Sequence, residues 1–359
     1  MIKRHAFTLI EFLTALALQF MVIILISTVL RWTVVFSLKT SKILSARAHA
    51  EEFILYLRPR VQNCGLGFFN CQSKTDKYKL RRAFGYNTSS YNFPNVNAFR
   101  DSLMIFPELE NYTRNIMPSY DDEDGVTRGK VLGIIYTMPL KLNVIVQTRD
   151  GKNKIIPDSN SERSYICYID NDLNEGGDFL DYSNYASDVL RRRNIKTWLT
   201  LEGCGMPLYA LRVPYGTKNR KALKLEVPDT VDYSVEIPAA ARIFYIRTEI
   251  FYVTHNNDSS DISGTLFRLS PAYSTSQGAY NDVNPIENGI LEIYFELYKL
   301  SHTLDVYILS EGGTYESFTA TGINKRPKAW PEKAHYDEKY NTRELYVTRA
   351  SFKVDNVIF

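Results

Sequence analysis

The chain reads as an α+β protein in which one long N-terminal helix, half membrane-type and half amphipathic, packs against a β-rich C-terminal head. Three observations predict it. From Phe7 to Phe36 only Glu11 and Arg31 carry charge; from Ser37 to Arg58 there is neither Pro nor Gly and apolar residues recur at helical spacing; beyond Pro59, short apolar runs alternate with polar loops. Among 359 residues there are 25 Tyr and 19 Phe, a composition that favours pleated, half-buried strands. The net charge is +3 with 23% charged residues, close to an ordinary globular surface. No broad electrostatic case for nucleic acid or an acidic substrate follows.

The first element is a short basic leader, residues 1–6. Lys3 and Arg4 precede the apolar run and by the positive-inside tendency stay in the cytoplasm, which places the rest of the chain outside it. The run that follows is long enough to cross a hydrocarbon core of about 30 Å at about 1.5 Å per residue, with residues 12–36 as the expected span. A cleaved secretory signal has an apolar region of only about 7–15 residues with small residues just beyond it; here the nearest Ala-x-Ala, Ala46 to Ala48, lies well inside helical sequence. Glu11 is the anomaly. A carboxylate in a membrane segment costs roughly 2.5–3.5 kcal/mol on insertion scales, so its partner has to be found.

The second half of the helix carries Ile43, Ala46, Ala50, Phe53, Ile54 and Leu57, the rhythm of an amphipathic helix with one covered stripe. Pro59 is its expected end, so the helix is expected over 7–58 and the head over 59–359. Strands are expected at Val131–Met138, Leu142–Thr148, Lys196–Leu201, Pro207–Val213, Ala222–Val227, Arg242–His255, Thr265–Ser270, Ile290–Tyr298 and Glu344–Phe359. The stretches Asn111 to Gly129 and Arg149 to Glu162 read as long polar loops of one head.

Four cysteines, Cys64, Cys71, Cys167 and Cys204, fall in the exported part, where disulfides persist. They allow three connectivities; Cys64 with Cys71, closing a short loop around Gly65 and Gly67, is favoured and the others stay open. Asp170, Asp172, Asn174 and Asp181 occupy the first, third, fifth and twelfth positions of a calcium loop, yet the sixth, which should be Gly, is Glu175. A solvated acidic turn is the stronger reading and calcium the alternative; no other cofactor is expected. Arg191 to Lys196 reads as a solvated basic run rather than a DNA contact. The Gly125–Val131 stretch is short for a phosphate loop, lacks Ser or Thr after Lys130, and reads as a turn. His5, His49, His255, His302 and His335 are scattered and no nucleophile elbow occurs, so no enzyme and no small-molecule substrate are expected.

The residues His5-Ala6-Phe7-Thr8-Leu9-Ile10-Glu11, a basic leader, a small residue and then an apolar helix with an early Glu, resemble the prepilin motif of type IV pilins and type II secretion pseudopilins. The resemblance implies a prepilin peptidase that cuts between Ala6 and Phe7 and methylates the new amine. The family has Gly where this chain has Ala6. It also implies that Glu11 meets the terminal amine of a neighbouring subunit during assembly, a registry use of a buried pair. The head runs Leu55–Phe68, Phe244–Ser270, Asn284–Tyr298 and Leu345–Val354 resemble, more diffusely, minor pilins of the PilW/PulJ type. On that resemblance the chain is a minor pilin that helps initiate or cap a pilus. Its partners would be the peptidase, other major and minor pilins and an inner-membrane assembly platform. It would sit as a single-pass inner-membrane protein with an extracytoplasmic head. A secretion pseudopilin, or a pilin-anchored adhesin or DNA-binding head, are the alternatives.

Overall fold

The computed structural model describes residues 8–67, 102–106, 125–147, 154–155, 164–169, 197–201, 208–211, 222–226, 235–236, 240–255, 264–274, 278–314 and 326–357. One helix, α1 (Leu9–Gln62), of 54 residues, is about 81 Å long. The strands are β1 (Leu103–Phe106), β2 (Val126–Gly129), β3 (Val131–Gln147), β4 (Lys154–Ile155), β5 (Ser164–Ile169), β6 (Thr197–Leu201), β7 (Leu208–Leu211) and β8 (Ala222–Glu226). They continue as β9 (Val235–Glu236), β10 (Ala240–His255), β11 (Gly264–Ser274), β12 (Gly278–Asn288), β13 (Ile290–Tyr298), β14 (Thr303–Thr314) and β15 (Arg343–Lys353). The α+β class holds.

Several expectations change. The closing strand, expected over Glu344–Phe359, is β15 and ends at Lys353, and the stretch expected as a loop at Arg149–Glu162 contains the two-residue β4. The helix continues past Arg58 to Gln62 with Pro59 inside it. The ring of Pro59 forfeits the hydrogen bond to the carbonyl of Leu55, but the Leu55 side chain is 64% exposed, so that stretch of the helix faces solvent and water can serve the carbonyl. The two strands expected at Val131–Met138 and Leu142–Thr148 are one, β3. Its Pro139 lies opposite Phe244 beside a register shift between Arg242 and Phe244, the kind of irregularity at which a strand tolerates a residue without an N–H. The stretch expected as a turn at Gly125–Val131 contains β2, whose four residues pair with Val126 opposite Tyr298 and Gly129 opposite Phe295.

Beneath α1 lies a four-stranded antiparallel sheet in the order β15-β14-β13-β2. On its helix side, Phe53, Leu57 and Val61 share one core with Ile293, Phe295 and Leu297 of β13, Val306 and Ile308 of β14, and Phe352 of β15. Each fully buried side chain of this kind contributes roughly 1.5–3 kcal/mol. Of the expected stripe, Ala46, Ala50, Phe53, Ile54 and Leu57 are buried, and Ile43 is half-buried where the head thins out. Helix and sheet come backbone to backbone at Gly312. A Cβ on Gly312 of β14 would stand 2.7 Å from the Lys42 carbonyl oxygen, so only glycine lets the two elements approach there.

The other face of this sheet is covered by residues 326–342, whose Trp330, Ala334 and Tyr340 cluster with Leu291, Tyr294 and Leu309. The layers are therefore helix, sheet and a C-terminal segment. Strand alternation explains it, because residues on opposite sides of one strand must each find a cover.

The long strands β3 and β10 pair over most of their length. Leu132, Ile134 and Tyr136 of β3 and Phe251 of β10 join the helix core. The other halves of the two strands carry β5, β8, β7 and β6, each antiparallel to the next, and β6 returns to β10. Six strands thus close a ring, which leaves no open edge among its members.

Candidate functional site

The site the sequence points to is the stem, from its first turn to its docking end. Thr8 caps α1: its hydroxyl accepts from the Glu11 backbone N–H at 3.3 Å, while the Glu11 carboxylate accepts from the Thr8 backbone N–H and from the Thr8 hydroxyl, both at 2.9 Å. This is a capping box, which satisfies helix-end donors that have no partner in the ladder. Within the monomer, Thr8 is therefore the partner of Glu11. Ala6 and Phe7 lie outside the described residues.

Beyond the cap, the large apolar side chains from Leu9 to Leu38, Leu16 excepted, are exposed with no protein over them. The hydroxyls in this half stay internal: Thr28, Thr33 and Thr40 donate to the carbonyls of Ile24, Val29 and Phe36 at 2.8–2.9 Å. Hydroxyls that turn back onto the helix backbone in this way suit a hydrocarbon solvent, which offers polar groups no partner. Among the described residues, α1 is the one helix long and apolar enough to cross a membrane.

At the other end, the stem is fastened to the head by charge. Arg60 Nε donates to Glu249 Oε2 of β10 at 2.7 Å, and the Glu249 side chain is wholly buried. Arg268 of β11 stands 3.6 Å from the other oxygen of Glu249 and donates to the Tyr56 hydroxyl at 3.2 Å. The Arg60 guanidinium lies 3.4 Å above the Tyr56 ring and donates to the Tyr56 carbonyl, which closes the circuit Arg60–Glu249–Arg268–Tyr56. Burial works against the Arg60 charge, but the Glu249 carboxylate and the neighbouring phenols outweigh it and hold its pKa above the ordinary value. Burial, then the Glu249 charge, pushes the nearby Tyr136 phenol far up. Nearer the bare half of α1, His49 Nδ1 pairs with Glu287 of β12 at 2.5 Å.

The remaining sequence candidates are placed as follows. Cys64 is buried just past the helix, its Sγ 3.0 Å from the Ser102 carbonyl oxygen. Cys71, Cys204 and the side chain of Cys167 lie outside the described residues, although the Cys167 backbone pairs in β5 with Val146 and Leu223. Asp170, Asp172, Asn174, Asp181 and the run Arg191 to Lys196 also lie outside them. Among the described residues no group of three His, Cys, Asp or Glu side chains could hold a metal.

Sequence reasoning missed two parts of this site. The spacing Thr8-x-x-Glu11 is a capping-box signature that was legible. Glu249, an acid inside the apolar run Ile243–Val253, marked a strand position needing a partner, but nothing local named Arg60.

The fold and stem define an α+β chain with one apolar N-terminal helix, bare over its first half and docked on a β-rich head over its second, an architecture compatible with that of pilins. No protein-family model, no curated protein and no solved structure matches the chain.

Proposed function

We propose that this chain is a minor pilin-type subunit. It is anchored in the inner membrane by the first half of α1, cut by a prepilin peptidase between Ala6 and Phe7, and built into a filament or its initiating complex with other pilins on an inner-membrane platform. One observation carries the reading: a prepilin-like motif opens a single 54-residue helix whose apolar first half is bare while its second half is buried in the head. Glu11 then has two successive partners, Thr8 in the monomer and the terminal amine of a neighbour in the filament. The head is a structural module, and its role is packing against other subunits rather than chemistry.

The mature N-terminus, read by mass spectrometry of the protein from its native membrane, tests the proposal. The expected species begins at N-methylated Phe7. An intact Met1, or a cut near Ala48, would overturn it. Ala6→Leu should block the cut, because a branched side chain replaces a small one at the scissile position, whereas Ala6→Gly should be processed at least as well as the parent.

A further inference from the structure

Four polar side chains at the outer face of the four-stranded sheet, with Glu292 and Tyr340 buried, His255 half-buried and His335 half-exposed, form one connected chain. His255 Nε2 lies 2.7 Å from the Leu291 carbonyl oxygen and 2.9 Å from the Tyr340 hydroxyl. A carbonyl only accepts, so Nε2 carries the proton and donates. The Tyr340 hydroxyl is then left to donate to Glu292 Oε1, 3.1 Å away, and His335 Nδ1 donates to the same oxygen at 2.9 Å. Burial, and next the Glu292 charge, push the Tyr340 phenol far up, so its hydroxyl keeps the proton it donates.

Every one of these bonds except that to Leu291 joins residues 326–342 to the sheet or its neighbour β10. The segment's own shape does not depend on them. Trp330 N–H donates to the Pro327 carbonyl at 2.9 Å, Ala334 N–H to Pro331 at 3.0 Å, and Trp330 Nε1 to His335 at 2.9 Å. Arg326 donates to the Ala334 carbonyl at 3.0 Å, and the Tyr336 hydroxyl donates to Asn341 at 2.8 Å. Its apolar cluster is separate from the helix core, and the backbone ladder of β13, β14 and β15 is complete without it.

We propose that residues 326–342 are a clasp that lifts from the sheet as one unit while the rest of the head stays folded, and that the chain His255–Tyr340–Glu292–His335 is its latch. Lifting bares Leu291, Tyr294 and Leu309, which opposes it. It also returns the buried Glu292 carboxylate to water, which offsets part of that cost. A contact built on a buried charge is therefore easier to reverse than one of equal area made of apolar groups alone. Local opening of such self-contained units below the free energy of global unfolding is general in folded proteins.

Hydrogen exchange of the full chain in detergent tests this. Once lifted, the single turns that hold the amides of Trp330, Ala334 and Tyr340 stand in water, where an isolated turn gives little protection, so these amides should exchange together and faster than those of β13 and β14. Tyr340→Phe keeps the ring and removes both hydroxyl bonds, so it should speed exchange of the clasp amides by about tenfold or more without changing β13 and β14. His335→Ala, at a side chain 52% exposed, should give a smaller rise in the same amides. Clasp amides that exchange in step with β13 and β14 in the parent would overturn the separate unit. Unchanged clasp exchange in Tyr340→Phe, or an equal rise across the sheet in both variants, would overturn the latch.

Discussion

Arg60 in the last turn of the stem and Glu249 in the middle of β10 meet at 2.7 Å although 189 residues separate them in sequence. The carboxylate is wholly enclosed and is shared with Arg268, so the docking end of the stem is held by a charge that water does not reach. Removing one member of such a pair leaves the others buried and uncompensated.

Glu249→Ala should therefore destabilise the head by about 3–5 kcal/mol, with Glu249→Gln intermediate because its oxygen still accepts from Arg60. Chemical denaturation of the detergent-solubilised protein, followed by tyrosine fluorescence, measures it. A loss under about 1 kcal/mol for the Ala variant would mean that the circuit behaves as an exposed pair.

The two sides of the stem should answer differently to the same truncation. Leu57 is wholly buried and Leu55 is 64% exposed. Leu57→Ala leaves a cavity and should cost about 2–5 kcal/mol, while Leu55→Ala should stay within about 0.5 kcal/mol of the parent. Equal effects would mean that the helix docks by another face.

Alkaline conditions should loosen the head through its tyrosines. Tyr298 is pushed up to about 12 by burial and by the bond it donates to Glu296, and Tyr136 and Tyr340 are raised for the same kinds of reason. A phenol whose pKa is raised on folding keeps its proton when the unfolded chain has lost it, so its contribution is full below the ordinary value of 10.0 and fades as pH climbs towards the folded value. Stability should fall between about pH 10 and 12, with a shallower slope in Tyr298→Phe. A flat profile there would contradict the enclosure of these rings.

The Thr8–Glu11 box sharpens the test of assembly. Thr8→Ala removes the cap and should cost about 1 kcal/mol of helix-end stability, but leaves the carboxylate available to a neighbour. Glu11→Ala removes both roles. If Glu11 meets an amine in the filament, it should lower incorporation into sheared filaments by two or more decades, from about 3–5 kcal/mol, with membrane insertion unharmed, and Thr8→Ala should incorporate nearly normally. Equal incorporation of the two variants would reduce Glu11 to a helix cap.

Much of the stem was legible because its signals are local. The spacing of Ala46, Ala50, Phe53, Ile54 and Leu57 repeats with the helix turn, and the head covers those residues together with Val61 one turn on. β13 appeared at its true bounds, Ile290–Tyr298, since its apolar residues, interrupted only by Glu292 and Glu296, are dense enough to read as one strand. Elsewhere local signals misled. Val126–Gly129 is too short for alternation to outweigh Gly129 and the preceding Gly125, and only β13 beside it makes it a strand. Pro139 reads as a break until β10 supplies the bulge that accommodates it.

By itself, the sequence determined the α+β class, the apolar length of the stem and the face it turns to the head, because each follows from a period of side chains along one element. The tertiary structure alone decided the closed ring of strands, the clasp over Glu292 and the Arg60–Glu249 fastening. Those depend on which distant elements come to lie side by side, and a charge buried in a strand names its partner only when the chain has brought one within reach.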